Sequence, residues 1–318
     1  MKRRKIYFRA DASETIGYGH FIRTLALADI LKDDFDITFF TQSPSEYQCE
    51  QVKNVCKLIL LPSDDRKFDD FLSYLKGEEI VVLDNYFFTS DYQKKIKEKG
   101  CKLLCIDDPH GIQYYCDVLI CHGFATPMQF DVITTDTRLF IGLEWAMLRS
   151  PFLKANSTKT RNGSIVINVG GADPFRITNR LLELLFNLKI PHTIKVILSD
   201  YTFISDEYLP KIQVYKNISA QQMADLFETS AFGIFPTSTI CLEAYSRGLP
   251  MIIGYYIENQ LSGYKNAISY NQFVPIGNML ELDERTLQDA IDRVKSVAYD
   301  IPDFSIIPQK FKDLFLSL

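Results

Sequence analysis

The stretch "KIYFRADASETIGYGHFIRTLALA" (residues 5–28) sets the reading of the whole chain. Residues 5–10 form a short apolar run of β-forming residues. A polar segment with Gly17 and Gly19 follows, and a second apolar run of helix-forming residues begins at His20. Strand, glycine loop and helix in that order open a βαβ unit, and the remaining sequence repeats the alternation.

Further strands are expected at 36–41, 57–62, 80–84, 102–107 and 118–122, with helices at 20–32, 67–76 and 90–99 between them. Ser90 is the expected N-cap of the last of these helices, and Gly100 its stop. The polar stretch "LKANSTKTRNG" (153–163) has no apolar periodicity and reads as an interdomain linker. Beyond it the alternation restarts. Strands are expected at 164–171, 193–199, 212–217, 231–236 and 250–255, and helices near 176–188, 219–229 and 238–247, with two further helical segments after them. The expectation is two doubly wound, Rossmann-like α/β domains facing across a cleft. Residues 1–152 form the first and 164–318 the second, with the final helix able to pack back on the first.

A length of 318 residues suits two domains of about 150 residues each. With 47% hydrophobic and 24% charged residues, the chain is expected to be globular. Its net charge of −5, with "MKRRK" the one dense basic cluster, argues against a nucleic-acid partner. Apolar runs are too short for a signal peptide or for the roughly 18 apolar residues of a membrane span, so a cytoplasmic protein without stable membrane insertion is expected. Seven cysteines, an odd count, read as reduced thiols. "CKLLC" (101–105) lacks the spacing of a redox pair, and its thiols are expected in the core.

In open parallel sheets, ligands bind beyond the carboxyl ends of the strands. "IGYGH" (16–20) occupies such a place. Gly17 and Gly19 allow a ligand to approach the main chain, although the spacing is not that of G-x-G-x-x-G. That mismatch, and the lack of an acidic residue at the expected distance, sets aside a dinucleotide oxidoreductase. His20 stands at a helix N-terminus, where the macrodipole disfavours imidazolium and leaves a general base. The spacing alone fits a capping or packing histidine equally well. Asp11 is placed to orient the ring, and Arg23, one turn on, to meet a phosphate, or either to form a structural ion pair.

The pattern Arg9–Asp11, Ile16–His20, Arg23 and Leu25–Ala28 resembles the opening of the UDP-2,4-diacetamido-2,4,6-trideoxy-β-L-altropyranose hydrolases of pseudaminic acid biosynthesis. The resemblance continues through "VVLDNYFFTSDYQ" (81–93), "LLCIDD" (103–108), "CDVLI" (116–120), "IGLEWAMLRSPF" (141–152), "INVGGADP" (167–174) and "SRGLPMIIGYYIENQ" (246–260). It implies a GT-B architecture with UDP in the C-terminal domain, the sugar facing the N-terminal one, and hydrolysis with inversion at the anomeric carbon. His20 would then activate water, with Tyr86 beside it in the sugar pocket. No cofactor or metal is implied, since helix N-termini and main-chain amides can neutralise a departing diphosphate.

Within the second half, Gly170 and Gly171 end a strand and can expose amides to that diphosphate, with Asp173 as a cap and Pro174 in the first helical turn. The same residues fit a plain strand-to-helix turn. Thr237, Ser238 and Thr239 bring hydroxyls to the next such junction. By the GT-B resemblance Glu243 would hold the ribose hydroxyls, while Asn259 and Gln260 would contact the pyrophosphate or hexose or simply cap a helix.

Three departures stand out. Pro236-Thr237-Ser238 replaces a run of small residues such as Gly-Gly-Ser. Asp84-Asn85-Tyr86 replaces Asp-His-Tyr, leaving Asn85 as the sugar contact there, and Cys121-His122-Gly123 replaces an asparagine-rich turn, with His122 a substitute polar contact or a space filler. The expected function is a UDP-sugar hydrolase acting on an acetamido sugar for a surface polysaccharide, working as a monomer. A GT-B glycosyltransferase using the same base, or a silent nucleotide-sugar binding protein, are the alternatives.

Overall fold

The computed structural model describes residues 3–13, 16–107, 112–124, 136–154, 160–171, 173–199, 202–270, 272–297 and 303–318. The chain divides into two compact units: Met1–Ile16, His20–Ser150 and Ile306–Leu318 form one, and Gly17–Gly19 and Pro151–Ser305 the other.

Among the described residues of the first unit, seven strands form one parallel sheet. They are β1 (Lys5–Ala10), β2 (Asp36–Gln42), β3 (Lys57–Leu61), β4 (Ile80–Asp84), β5 (Lys102–Ile106), β6 (Val118–Cys121) and β7 (Arg138–Ile141). Their spatial order is β3-β2-β1-β4-β5-β6-β7. Every residue of β4, "IVVLD", is buried, as expected of a parallel strand covered on both faces. Pairing of β1 with β4 ends at Ala10 opposite Asp84, so the segments that follow these two strands leave the sheet side by side. The helices are α1 (Gly19–Leu31), α2 (Glu46–Lys53), α3 (Arg66–Tyr74) and α4 (Ser90–Glu98). Gly100, at φ +91°, lies just past the last turn of α4 and terminates it as its sequence position predicts. The N-cap is Thr89 rather than Ser90: the Thr89 hydroxyl accepts from the amide of Tyr92, while Ser90 Oγ donates to the carbonyl of Gln113.

The second unit carries β8 (Ser164–Ile167), β9 (Thr193–Leu198), β10 (Gln213–Lys216), β11 (Phe232–Pro236), β12 (Met251–Tyr255) and β13 (Phe273–Asn278) in the order β10-β9-β8-β11-β12-β13, again all parallel. Its helices are α5 (Ile177–Asn187), α6 (Ala220–Thr229), α7 (Thr239–Ser246), α8 (Glu258–Ala267) and α9 (Glu284–Val294). Ile165, Ile167, Val196, Ile234 and Ile252 of the sheet pack with Leu181 and Leu185 of α5 and Leu287 and Ile291 of α9 in one core. Asp173 does cap α5, its two oxygens accepting from the amides of Ile177 and Thr178. The helix begins at Ile177, close to the expected 176, so Pro174 lies before it instead of in its first turn.

The segment 153–163, read from its composition as a linker, falls with the second unit; residues 155–159 lie outside those described. On either side of them the backbone is held by arginine forks. Arg247 donates to the carbonyls of Phe152 and Lys154, and Arg161 to those of Phe227, Ser230 and Gly248. The helix α10 (Ile307–Leu316) belongs to the first unit. Phe315 meets Phe35, Phe311 meets Trp145, and Lys312 pairs with Asp34 at 2.7 Å. All seven cysteines are free thiols. Among the described residues no helix is long and apolar enough to cross a membrane.

Candidate active site

Each sheet reverses its strand order once, between β1 and β4 in the first and between β8 and β11 in the second. At such a switch point the loops diverge and open a crevice beyond the carboxyl ends of the strands. The residues singled out in the sequence gather at these two places.

At the first, His20 enters as the second residue of α1 and is buried to 7% exposure. Its Nδ1 lies 2.6 Å from Oδ1 of Asp84, the last residue of β4. Asp84 is wholly buried and receives four donors. Oδ1 accepts from His20 Nδ1 and, at 2.7 Å, from Arg23 Nη2, while Oδ2 accepts from Arg23 Nε and Thr24 Oγ1, both at 2.7 Å. Burial by itself raises a carboxyl pKa; here the charges of Arg23 and His20 and their hydrogen bonds outweigh it and hold Asp84 well below the ordinary carboxylate range. A carboxylate only accepts hydrogen bonds, so in the neutral ring the proton sits on Nδ1 and the lone pair on Nε2. The ring of Tyr86 stands edge-on to that of His20, 4.7 Å between centroids.

The sequence left Asp11 either to orient His20 or to form a structural ion pair, and the structure shows the second. Orienting the ring falls to Asp84, and Asp11 forms a buried, two-pronged ion pair with Arg9 and accepts from Thr41 Oγ1 and the amide of Gln42. Arg23, expected to meet a phosphate or to form a structural ion pair, has its fork on Asp84, with Nη1 3.2 Å from Nε2 of His122. His122 is buried, and the amide of Met147 donates to its Nδ1. Asn85, expected on the sugar, is 6% exposed: Oδ1 accepts from the Asp11 amide at 2.7 Å and Nδ2 donates to the Asp11 carbonyl at 3.2 Å. Its side chain thereby prolongs the β1–β4 ladder one residue past Asp84. Gly17 adopts φ +79°, a conformation that requires glycine, and Gly19 is the first residue of α1.

At the second switch point the expected residues follow three neighbouring strands, β8, β11 and β12. Gly170, at φ +105°, and Gly171 follow β8. Thr237 is buried with its hydroxyl on the carbonyl of Gly254 at 3.1 Å, so it braces β11 against β12. Ser238 is exposed and Thr239 begins α7, on which Glu243 is buried. Asn259 is exposed on α8. Gln260 turns back to accept from the Tyr256 amide at 3.0 Å, which makes it a helix cap. The Tyr256 hydroxyl donates to the carbonyl of Val169 and joins the β8 and β12 loops; burial, first, pushes its pKa up to about 12. Among the described residues no group of His, Cys, Asp and Glu is arranged to hold a metal ion.

The sequence reading quoted Asp84 within Asp84-Asn85-Tyr86 but gave it no role, and it did not name Thr24, which hydrogen-bonds to Asp84. The signal was the acidic residue closing an all-apolar strand run, which puts a carboxylate at the carboxyl edge of a central strand.

No family model matches the chain. It is 26% identical over 275 residues, 81% of this chain and 94% of the other, to UDP-2,4-diacetamido-2,4,6-trideoxy-β-L-altropyranose hydrolase of Campylobacter jejuni, and is a homologue of it. It is 22% identical over 300 residues, 90% of this chain and 88% of the other, to the spore coat polysaccharide biosynthesis protein SpsG of Bacillus subtilis. An uncharacterized protein of Methanocaldococcus jannaschii is 28% identical over 284 residues, 82% of this chain; the chain spans 57% of that relative's length. Among solved structures, a UDP-L-rhamnose complex of UGT89C1 from Arabidopsis thaliana superposes with a TM-score of 0.67 at 11% identity, covering 99% and 95% of the two chains. Spinosyn forosaminyltransferase follows with a TM-score of 0.64 at 12% identity and 98% and 95% coverage. These likenesses show the fold: two parallel-sheet α/β domains of the GT-B type.

Proposed function

We propose that the chain is a nucleotide-sugar hydrolase that releases UDP from a UDP-linked 2,4-diacetamido-2,4,6-trideoxyhexose in nonulosonic (pseudaminic) acid biosynthesis. The observation that carries this reading is the 2.6 Å hydrogen bond between His20 Nδ1 and Asp84. It fixes the tautomer and turns an otherwise ordinary buried histidine into an oriented base.

In this scheme water attacks the anomeric carbon from the face opposite the diphosphate and gives its proton to Nε2 of His20. The bond from the anomeric carbon to the β-phosphate oxygen breaks, its electron pair leaves with UDP, and the configuration inverts. Asp84 stabilises the imidazolium as it forms, and Tyr86 confines the ring from its edge. The second unit would hold UDP, with Glu243 on the ribose hydroxyls and the backbone at Gly170–Gly171, together with Ser238 and Thr239, near the diphosphate. No metal or organic cofactor enters the scheme, and a cytoplasmic monomer is its working unit.

The test is UDP release from a panel of UDP-linked amino and acetamido sugars, with and without acceptor alcohols. Release into water alone, lost in His20→Asn, supports the hydrolase. Release only with an acceptor makes the chain a transferase. UDP binding without any release makes it a silent binding protein.

A further inference from the structure

Arg176 breaks three local preferences at once. It is the N-cap of α5, a position that favours Ser, Thr, Asp or Asn, and it makes no side-chain capping bond. Its φ of +55° and ψ of +37° are left-handed, a conformation that costs free energy for most residues other than glycine. It also brings a cation to the positive end of the helix dipole. Lys189 is left-handed too, at φ +51°, but it follows the C-cap of the same helix, where such a residue is the usual stop. No such rule accounts for Arg176. Capping does not need it either, because Asp173 already takes the amides of Ile177 and Thr178. Places where several local rules fail together are expected at functional sites.

The guanidinium lies over the ring of Phe203, 5.2 Å from its centroid, and among the described residues no carboxylate or carbonyl takes its hydrogens. Arg180, one turn on, is by contrast engaged by Glu183 at 3.0 Å and by the carbonyl of Leu282 at 3.1 Å. A ring face steadies a cation without using its N–H groups. Phe203 is 56% exposed, so its ring is a platform more than a core residue. Asn179 of α5 fixes the segment that carries it: Nδ2 donates to the Phe203 carbonyl at 2.7 Å and Oδ1 accepts from the Ser205 amide at 2.8 Å. Ser199 Oγ donates to the carbonyl of Gly171 at 2.8 Å and meets Oγ1 of Thr202, the neighbour of Phe203, at 3.1 Å. The platform and the Gly170–Gly171 turn are thus tied together beyond the carboxyl ends of β8 and β9.

Asp173 occupies the leading amides of α5, so positive charge for an anion at that turn has to come from a side chain. A guanidinium suits the task, since its planar fork matches phosphate oxygens. Arg176 is exposed, hence solvated while no ligand is present, and it adds no buried charge to this edge.

We propose that Arg176, held ready on Phe203, binds the diphosphate of the nucleotide, and that the left-handed backbone at 176 serves to present it there. The inference rests on the reading that the second unit holds UDP, and it supplies the cationic side chain that this reading lacked.

The experiment is calorimetric titration of the intact protein with UDP, with urea unfolding of each variant in parallel. Arg176→Gln should weaken UDP by about 10- to 100-fold, the loss expected of a charge-assisted contact, and should flatten the dependence of Kd on salt. Arg176→Lys, which keeps the charge without the fork, should lose less than Arg176→Gln. Arg176→Gly should weaken UDP as much as Arg176→Gln yet be at least as stable as the parent, because glycine adopts the left-handed backbone freely. Phe203→Leu should weaken UDP by a smaller factor.

A UDP affinity within about twofold of the parent's in both Arg176→Gln and Arg176→Gly overturns the inference and leaves UDP binding in place. So does an Arg176→Gly protein that loses UDP only in step with lost stability, because the arginine is then a structural part of the start of α5. A parent protein that binds no UDP ends the inference together with the reading it rests on. UDP held through Arg176, with no UDP-sugar hydrolysed, sustains the inference while the hydrolase reading falls.

Discussion

At the carboxyl edge of the first sheet the side chains that meet are ionised and buried, Arg9 with Asp11 and Arg23 with Asp84. At the same edge of the second sheet the loops after β8, β11 and β12 present glycine backbone, hydroxyls and side-chain amides; of the carboxylates considered there, Asp173 is taken up by the amides of Ile177 and Thr178 and Glu243 is buried on α7. The two sheets share a topology, so the difference lies in chemistry. Buried charges fix a proton's position and resist rearrangement, which suits a reacting group. Neutral amides and hydroxyls accommodate a charged ligand without paying for charges of their own when it leaves.

The sharpest way to break this contrast is to cross its two halves. His20→Asn should lower turnover by about 10²–10⁴ and leave UDP affinity within a few-fold. Steady-state kinetics with calorimetry on the same sample checks both, and an intact rate would remove His20 from the chemistry.

Next in size is a change in stability. Asp11→Ala strands the Arg9 charge in the core and should cost about 3–5 kcal/mol in urea unfolding. Activity per folded molecule should change little by comparison. Loss of activity at unchanged stability would return Asp11 to the reacting centre.

Acid exposes the other carboxylate. Because Asp84 is held below its ordinary range in the folded state, its contribution is complete above the unfolded value of about 3.9 and is lost as pH falls through the lower folded value. The stability gap between the parent and Asp84→Asn should therefore narrow on going from about pH 6 to about pH 2. A gap that stays constant would mean that the shape of the side chain matters there and its charge does not.

On the second edge the expected loss is smaller and falls on binding. Glu243→Ala should weaken UDP by about 1.5–3 kcal/mol, read by calorimetry, with turnover at saturating substrate nearly unchanged. Smallest is the cap of α4: Thr89→Ala should lower stability by about 1 kcal/mol and exceed the effect of Ser90→Ala. The reverse ranking would restore Ser90 as the cap.

Much of the fold was legible because parallel strands buried on both faces read as short apolar runs, as in "IVVLD" and "SIVI". The elements that escaped lacked that signal. Only Gln48 and Val52 are buried in α2, so no apolar stripe marks it. β7 is four residues long. β13 contains Pro275 and Gly277, both poor strand formers, yet the strand survives because it lies at the sheet edge where a missing amide costs little. The site was half legible. Gly-Tyr-Gly-His announced the place, whereas the partner of His20 lies 64 residues away and becomes its neighbour only because β4 pairs with β1. Asp11 was the nearer acid in sequence, but β1 delivers it to the side facing Thr41 and Gln42.

The return of residues 306–318 to the first unit bears on how the protein is made. As the chain emerges from the ribosome, the seven strands of the first sheet appear early, but Phe35 and Trp145 wait for Phe315 and Phe311. The second unit has all its strands before that moment. Synthesis order and folding order thus run in opposite senses. The half that carries His20 is translated first and completed last, because the aromatic partners of Phe35 and Trp145 come from residues 306–318.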